Sequence, residues 1–145
     1  MVDRTIVGWN STRESGIALE WAVRRAKAEH DGILLIDVED PAALAPGQVL
    51  TEDLVARRHL AADAEAQRVS DANGGLRIST HVMAGDRRDE LRAYSRPDTL
   101  IVVGTGRRHW PLMRYDWSLG AQLAAFARGA VAVIPELPAA DRTRV

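Results

Sequence analysis

The run Leu100-Ile-Val-Val103 is four consecutive apolar residues, three of them β-branched. A strand with one wet face alternates polar and apolar residues, so this run predicts a strand buried on both faces. Thr5-Ile-Val-Gly-Trp9 and Ile33-Leu-Leu-Ile-Asp-Val38 read as buried strands in the same way. Two-sided burial requires helices over both faces of a parallel sheet, and the intervening sequence supplies them. Ser11-Thr-Arg-Glu14 matches a capping box ahead of a helix with Ile17, Ala18, Trp21, Ala22 and Ala26 on its inner face. His30-Asp31-Gly32 ends that helix. A second helix is expected from about Thr51 to Ala72, stopped by Asn73-Gly74-Gly75, with Leu54, Val55, Ala61, Ala62 and Val69 inward. Arg77–Met83 alternates as a third strand, and Asp86 caps a short helix carrying Leu91 and Tyr94 before Pro97.

After Val103 come Gly104 and Gly106, then a basic aromatic loop, then Ser118 opening a helix with Leu119, Leu123 and Phe126 at helical spacing. Ala130–Ile134 is the last strand. Strand, glycine turn and helix N-terminus together form a phosphate site in α/β proteins, because free amides and a positive helix end face an anion. The alternation βαβαβαβαβ, with right-handed crossovers, predicts a doubly wound three-layer α/β sandwich. Its five-stranded parallel sheet has the order 3-2-1-4-5. The topological switch then falls between the first and fourth strands, and a ligand sits at their carboxyl ends. Asn10 and Gly104 lie there, flanked by Val38.

Length bounds the chain, at 145 residues, to one domain over residues 1–145 with one core. Cysteine is absent, which fits a cytoplasmic protein. No apolar run approaches the ~20 residues of a membrane span, so no membrane partner is expected. Net charge is −1, from 19 Lys+Arg against 20 Asp+Glu, which argues against a general nucleic-acid binder.

The ordered set Ile6-Val-Gly-Trp-Asn-Ser-Thr12, Ala18-Leu-Glu-Trp-Ala22, Leu34-Leu-Ile-Asp-Val38, Gly85-Asp86, Leu100-Ile-Val-Val-Gly104 and Ala132-Val-Ile-Pro135 resembles the universal stress protein family nearly end to end. The resemblance implies a Rossmann-like fold of the adenine nucleotide alpha hydrolase type. It also implies a cytoplasmic stress-response protein that pairs through its last strand. The family has a nucleotide-binding branch and a branch that does not bind ATP. Nucleotide-binding members carry Gly, two residues, Gly, nine residues, then Gly and Ser or Thr. Counted from Gly104, the later glycines fall on Arg107 and Trp117; only Gly104 and Ser118 match, with Gly106 one place early. The acidic residue usual after the first strand is replaced by Asn10, which removes a carboxylate suited to magnesium.

These departures favour a dimeric, non-ATP-binding regulatory or interaction module that is not an enzyme and requires no cofactor. The alternative is a stress sensor for ATP or another nucleotide, with at most slow hydrolysis. There the phosphate loop shifts by one residue, so that Asn10, Val38 backbone groups, Gly104, Gly106, Arg107 and Ser118 form the cleft. A cyclic or dinucleotide anion on the arginines of the loop is a third reading.

Three of the four tryptophans stand near this edge. Trp9, Trp110 and Trp117 fill the cleft on one reading, and Trp9 is plain core on the other; Trp21 is helix-to-sheet core. The loop from Arg107 to Asp116 reads equally as an anion trap, a solvated lid or a docking patch for unknown protein partners.

Other chemistries lack their residues. His30, His59, His81 and His109 are scattered, so no metal site is expected. There is no P-loop and no Gly-x-Ser-x-Gly elbow. A response-regulator receiver shares the strand order but needs acids where Trp9-Asn10 and Met83-Ala84 stand, and a lysine where Ile134-Pro135 stand. Asp37 is expected to turn to one face or bond locally, and Glu52, Asp53, Asp63 and Glu65 to form the wet side of the second helix. The last strand is a sheet edge that needs covering, so a homodimer through Val131–Leu137 is expected.

Overall fold

Thr5, Ile6 and Val7 pair with residues 33–35 on one side and residues 100–102 on the other, which makes the first strand the middle of the sheet. The computed structural model describes residues 5–105, 120 and 123–135. Its elements are β1 (Thr5–Gly8), α1 (Arg13–Glu29), β2 (Ile33–Glu39), a 3₁₀ turn (Pro41–Ala43), α2 (Glu52–Ala72), β3 (Ile78–Ala84), α3 (Arg87–Ala93), β4 (Leu100–Thr105) and β5 (Ala130–Pro135). The sheet is parallel throughout, in the order β3-β2-β1-β4-β5. This is the expected doubly wound fold.

Side-chain alternation along the central strands divides the core in two. Val7, Trp9, Ile33, Leu35 and Val102 face α1 and α2, and pack on Ala18, Leu19, Ala22, Ala62 and Val69. Ile6, Ile36, Val38, Ile101 and Val103 face the other way, against Leu91 of α3 and Leu123. Residues 123–126 are helical, which supplies the third layer together with α3. The edge strands β3 and β5 are only partly buried, and Thr80 alternates with exposed Ser79 and His81 as the sequence pattern implies.

Several local expectations shift. The cap of α1 is Thr12 rather than Ser11: Thr12 accepts from the Ser15 N–H, and Ser11 adopts φ +65°. Asn10 sets this start. Its Oδ1 accepts from the Thr12 N–H at 3.3 Å and from the Thr12 hydroxyl at 2.5 Å, while the Asn10 N–H donates to Ser15 Oγ at 3.3 Å. Glu14 therefore falls one place early for a capping box, and Ser15 takes the N3 place, its N–H donating to Thr12 Oγ1 and its hydroxyl to the Thr12 carbonyl, while the Thr12 N–H goes to Asn10.

The buried face of α1 is Ser15, Ala18, Leu19, Ala22, Val23 and Ala26, with Ile17 and Trp21 half-buried. The alanines permit close approach to the sheet, and Leu19 and Val23 line the seam toward Val69 of α2. In α2 only Ala62, Ala66 and Val69 are buried; Leu54 and Val55 are half-buried and Ala61 is exposed.

At the amino edge of the sheet, a polar clamp joins the turn after α3 to the start of β5. Buried Ser95 Oγ accepts from the Arg128 N–H at 2.9 Å and the Gly129 N–H at 3.1 Å. Gly129 is pressed so closely that a Cβ there would lie 2.0 Å from the Arg96 carbonyl oxygen. Ser95→Ala strands two backbone donors in a place that water reaches poorly. It is expected to cost about 1–3 kcal/mol, read as a lower urea midpoint with an unchanged slope.

Candidate functional site

The carboxyl edge of the sheet opens where β1 ends and the chain leaves for α1. The last β1–β2 pair is Gly8 with Ile36, followed by a 2.9 Å bond from the Trp9 N–H to the Ile36 carbonyl. Backbone groups alternate in direction along a strand. The Glu39 carbonyl faces β3, where it accepts from the Gly85 N–H at 3.0 Å. Val38 therefore directs its N–H and C=O to the β1 side, beyond the point where β1 has left the ladder.

Asn10, Val38 and Gly104 stand at the ends of β1, β2 and β4, within one residue of common register. The fold thus brings these three expected site residues to one edge. Gly106, Arg107 and Ser118 lie outside the described residues, as do Trp110 and Trp117. Asn10 is half-buried, and its carboxamide oxygen is committed to the cap of α1. Gly104 has a demand of its own: a Cβ at this position would sit 2.2 Å from the Glu14 carbonyl oxygen. The first turn of α1 lies directly on β4, so glycine is required here by packing whether or not a phosphate binds. Trp9 is buried in the α1–α2 side of the core, which is the core reading of that residue, and Trp21 packs against the same cluster.

The most polar feature of this edge is one that sequence reasoning missed. Of the two expectations for Asp37, the turn to one face holds and the local bond does not. Its side chain is 0% exposed and faces α2, where Arg58 Nη2 donates to Asp37 Oδ1 at 3.0 Å. The same Nη2 reaches Glu39 Oε2 at 3.0 Å. Asp37 Oδ2 and Arg58 Nε are buried without hydrogen-bond partners. Burial pushes the Asp37 carboxyl above its ordinary value, against the opposing pull of Arg58 and of Arg87 on α3. Three of the acids assigned to the wet side of α2 also have partners: Asp53 pairs with Arg57, Asp63 accepts from Thr80 of β3 and pairs with His59, and Glu65 pairs with Arg68. Among the described residues, no group of three or more His, Asp or Glu side chains is arranged to hold a metal ion. No described helix is long and apolar enough to cross a membrane.

The sequence profile of the universal stress protein family matches residues 1–135. The chain belongs to the universal stress protein family. No curated protein matches it significantly. Solved structures share the fold at low identity. A universal stress protein crystallised in complex with cAMP is 19% identical, with a TM-score of 0.68 over 91% of this chain and 96% of that one. UspA from Lactobacillus plantarum is 21% identical, with a TM-score of 0.61 over 91% and 97%. A family protein from Arabidopsis thaliana with AMP bound is 18% identical, with a TM-score of 0.62 over 98% and 95%.

In this universal stress protein, the Asp37–Arg58 pair makes stability depend on pH. The folded state holds the Asp37 proton more tightly than the unfolded chain, whose carboxyl titrates near 3.8. Its stabilising contribution is full below that value and is lost as pH rises through the raised folded one. Arg58→Ala removes the compensating cation and raises the folded value further. Denaturant titration is expected to show the variant close to wild type near pH 4 and destabilised by about 3–5 kcal/mol at neutral pH, with Asp37→Asn in the same chain abolishing most of that slope.

Proposed function

We propose that this universal stress protein acts in the stress response as a dimeric regulatory or interaction module that does not bind ATP. The observation that carries the reading is the position of Gly104. This residue, the one glycine that keeps its place in the family's phosphate pattern, is already required by the Glu14 carbonyl of α1. The other two glycine positions hold Arg107 and Trp117. Glycine there gives phosphate oxygens access to bare amides, whereas a tryptophan brings ~150–250 Å² of surface into that volume. The reading assigns no catalytic residue and places the protein in the cytoplasm. Its partners are proteins, one of them a second copy of this chain.

Pairing through β5 and the residues that follow it is supported by the strand's place at the end of the sheet, with Val133 39% exposed on it. An apolar edge of this kind invites a second strand, and a two-fold axis satisfies both copies at once. Light scattering at micromolar concentration is expected to give twice the 15.9 kDa chain mass. A clean monomer would remove the dimer from the reading.

A second reading, nucleotide binding, is favoured by the Val38 backbone, whose N–H and C=O face the gap left by β1 and match the paired donor and acceptor of an adenine edge. It is also supported by relatives solved with cAMP and with AMP. A monophosphate asks less of the glycine pattern than a triphosphate does. Calorimetric titration with ATP and magnesium, with AMP and with cAMP separates the two readings. The first expects no heat from ATP. Micromolar heat from ATP would replace it with a phosphate loop shifted to Gly106, and heat from the monophosphates alone would keep a cleft without triphosphate binding.

A further inference from the structure

Helix α2, 21 residues long, is attached to the sheet unevenly. Its buried side chains, Ala62, Ala66 and Val69, all lie in the second half. No residue from 52 to 61 belongs to either core cluster, and Leu60 is 69% exposed. An open groove of about 740 Å³ runs along this first half, lined by Leu50, Val55, Ala56, His59 and Leu60 among others. Full apolar burial is therefore confined to the later turns of the helix, the first half contributing only the half-buried Leu54 and Val55. Among the described residues, the polar contacts from the first half to the sheet are those of Arg58 with Asp37 and Glu39. The chain entering α2 adds little hold: residues 40–51 contain one 3₁₀ turn and Gly47 at φ +85°, and Val49 is 73% exposed.

We infer that residues 40–61 form a strap across the carboxyl end of β2, fastened by the single guanidinium of Arg58, which opens locally while the rest of the domain stays folded. The catch is built to release. One cation serves two carboxylates, and a buried acceptor on Asp37 and a buried donor on Arg58 remain unused when it is closed. Arg87, on α3, is the further charge acting on Asp37. The other ion pairs of the first half, Arg57 with Asp53 and His59 with Asp63, run along the helix at i,i+4 and are exposed. Such exposed pairs add little to the helix, so this half frays once it leaves the sheet. The strap lies beside Val38, so opening alters access to the edge where the Val38 backbone points past the end of β1. That holds whatever binds there, and no nucleotide is needed to test it.

Backbone amide hydrogen exchange reads the strap directly, because segments with little apolar burial open below the global unfolding free energy. Arg58→Ala is expected to speed exchange of amides 52–60 by about tenfold or more relative to amides 62–72 and to those of β1 and β4. The single variant also leaves Asp37 buried and alone, so its loss can spread through the domain. The double variant D37N/R58A removes that burden. In it, the denaturant midpoint is expected to return near the wild-type value while amides 52–60 remain fast. Wild-type protection of 52–60 in the double variant would overturn the inference, and so would uniform acceleration across all of α2. If the single variant does not fold, the double variant decides alone.

Discussion

Burial of both faces of β1, β2 and β4 is the constraint on which the rest of this structure depends. A strand covered on both sides cannot spend alternate positions on solvent, so its sequence becomes a run of apolar side chains. The helices must then lie on opposite faces, and the connections must cross in one hand. Every polar group admitted to the central strands needs a partner supplied from a helix. Thr5, fully buried in β1, receives Arg25 from α1 at 3.2 Å. Asp37, fully buried in β2, receives Arg58 from α2. In both cases a long side chain crosses the layer boundary to meet a short one, which lets the arginine stem cover apolar surface on the way.

At the carboxyl edge, residues at the family's binding positions are already committed to the fold. Gly104 answers to the backbone of α1, and the Asn10 carboxamide answers to the first turn of that helix. Packing alone is enough to retain Gly104, whatever the edge binds. The Val38 backbone is different: its N–H and C=O point past the end of β1 because of strand lengths, since β1 leaves the ladder before β2 does. Substitution of side chains leaves that pair of groups in place.

Helix α2 shows how an element can be continuous in its own hydrogen bonds yet divided in its attachment. Its fully buried apolar side chains all lie in the second half, while among the described residues the first half reaches the sheet's polar groups through one shared guanidinium. Apolar contact yields gradually, whereas a buried ion pair is made or broken as a unit. The division falls beside the edge where a ligand would enter.

Local pattern in the sequence determined the alternation of strands and helices, the two-sided burial of the centre, the cap at Asp86 and the length of α2, because these follow from periodicity, β-branching and turn residues within a few positions. It also marked the three residues that the fold gathers at the carboxyl edge. Tertiary structure alone decided the rest. The cap of α1 moved to Thr12 because Asn10, at the end of β1, accepts from the Thr12 N–H and hydroxyl, and its buried face turned toward Leu19 and Val23 because α2 packs there. Asp37 found its partner 21 residues away rather than locally. Gly104 proved to be a packing glycine through contact with a carbonyl 90 residues earlier in the chain, at Glu14. Each depends on which surfaces meet after the layers close, and that distance between partners is why spacing along the chain could not reveal them.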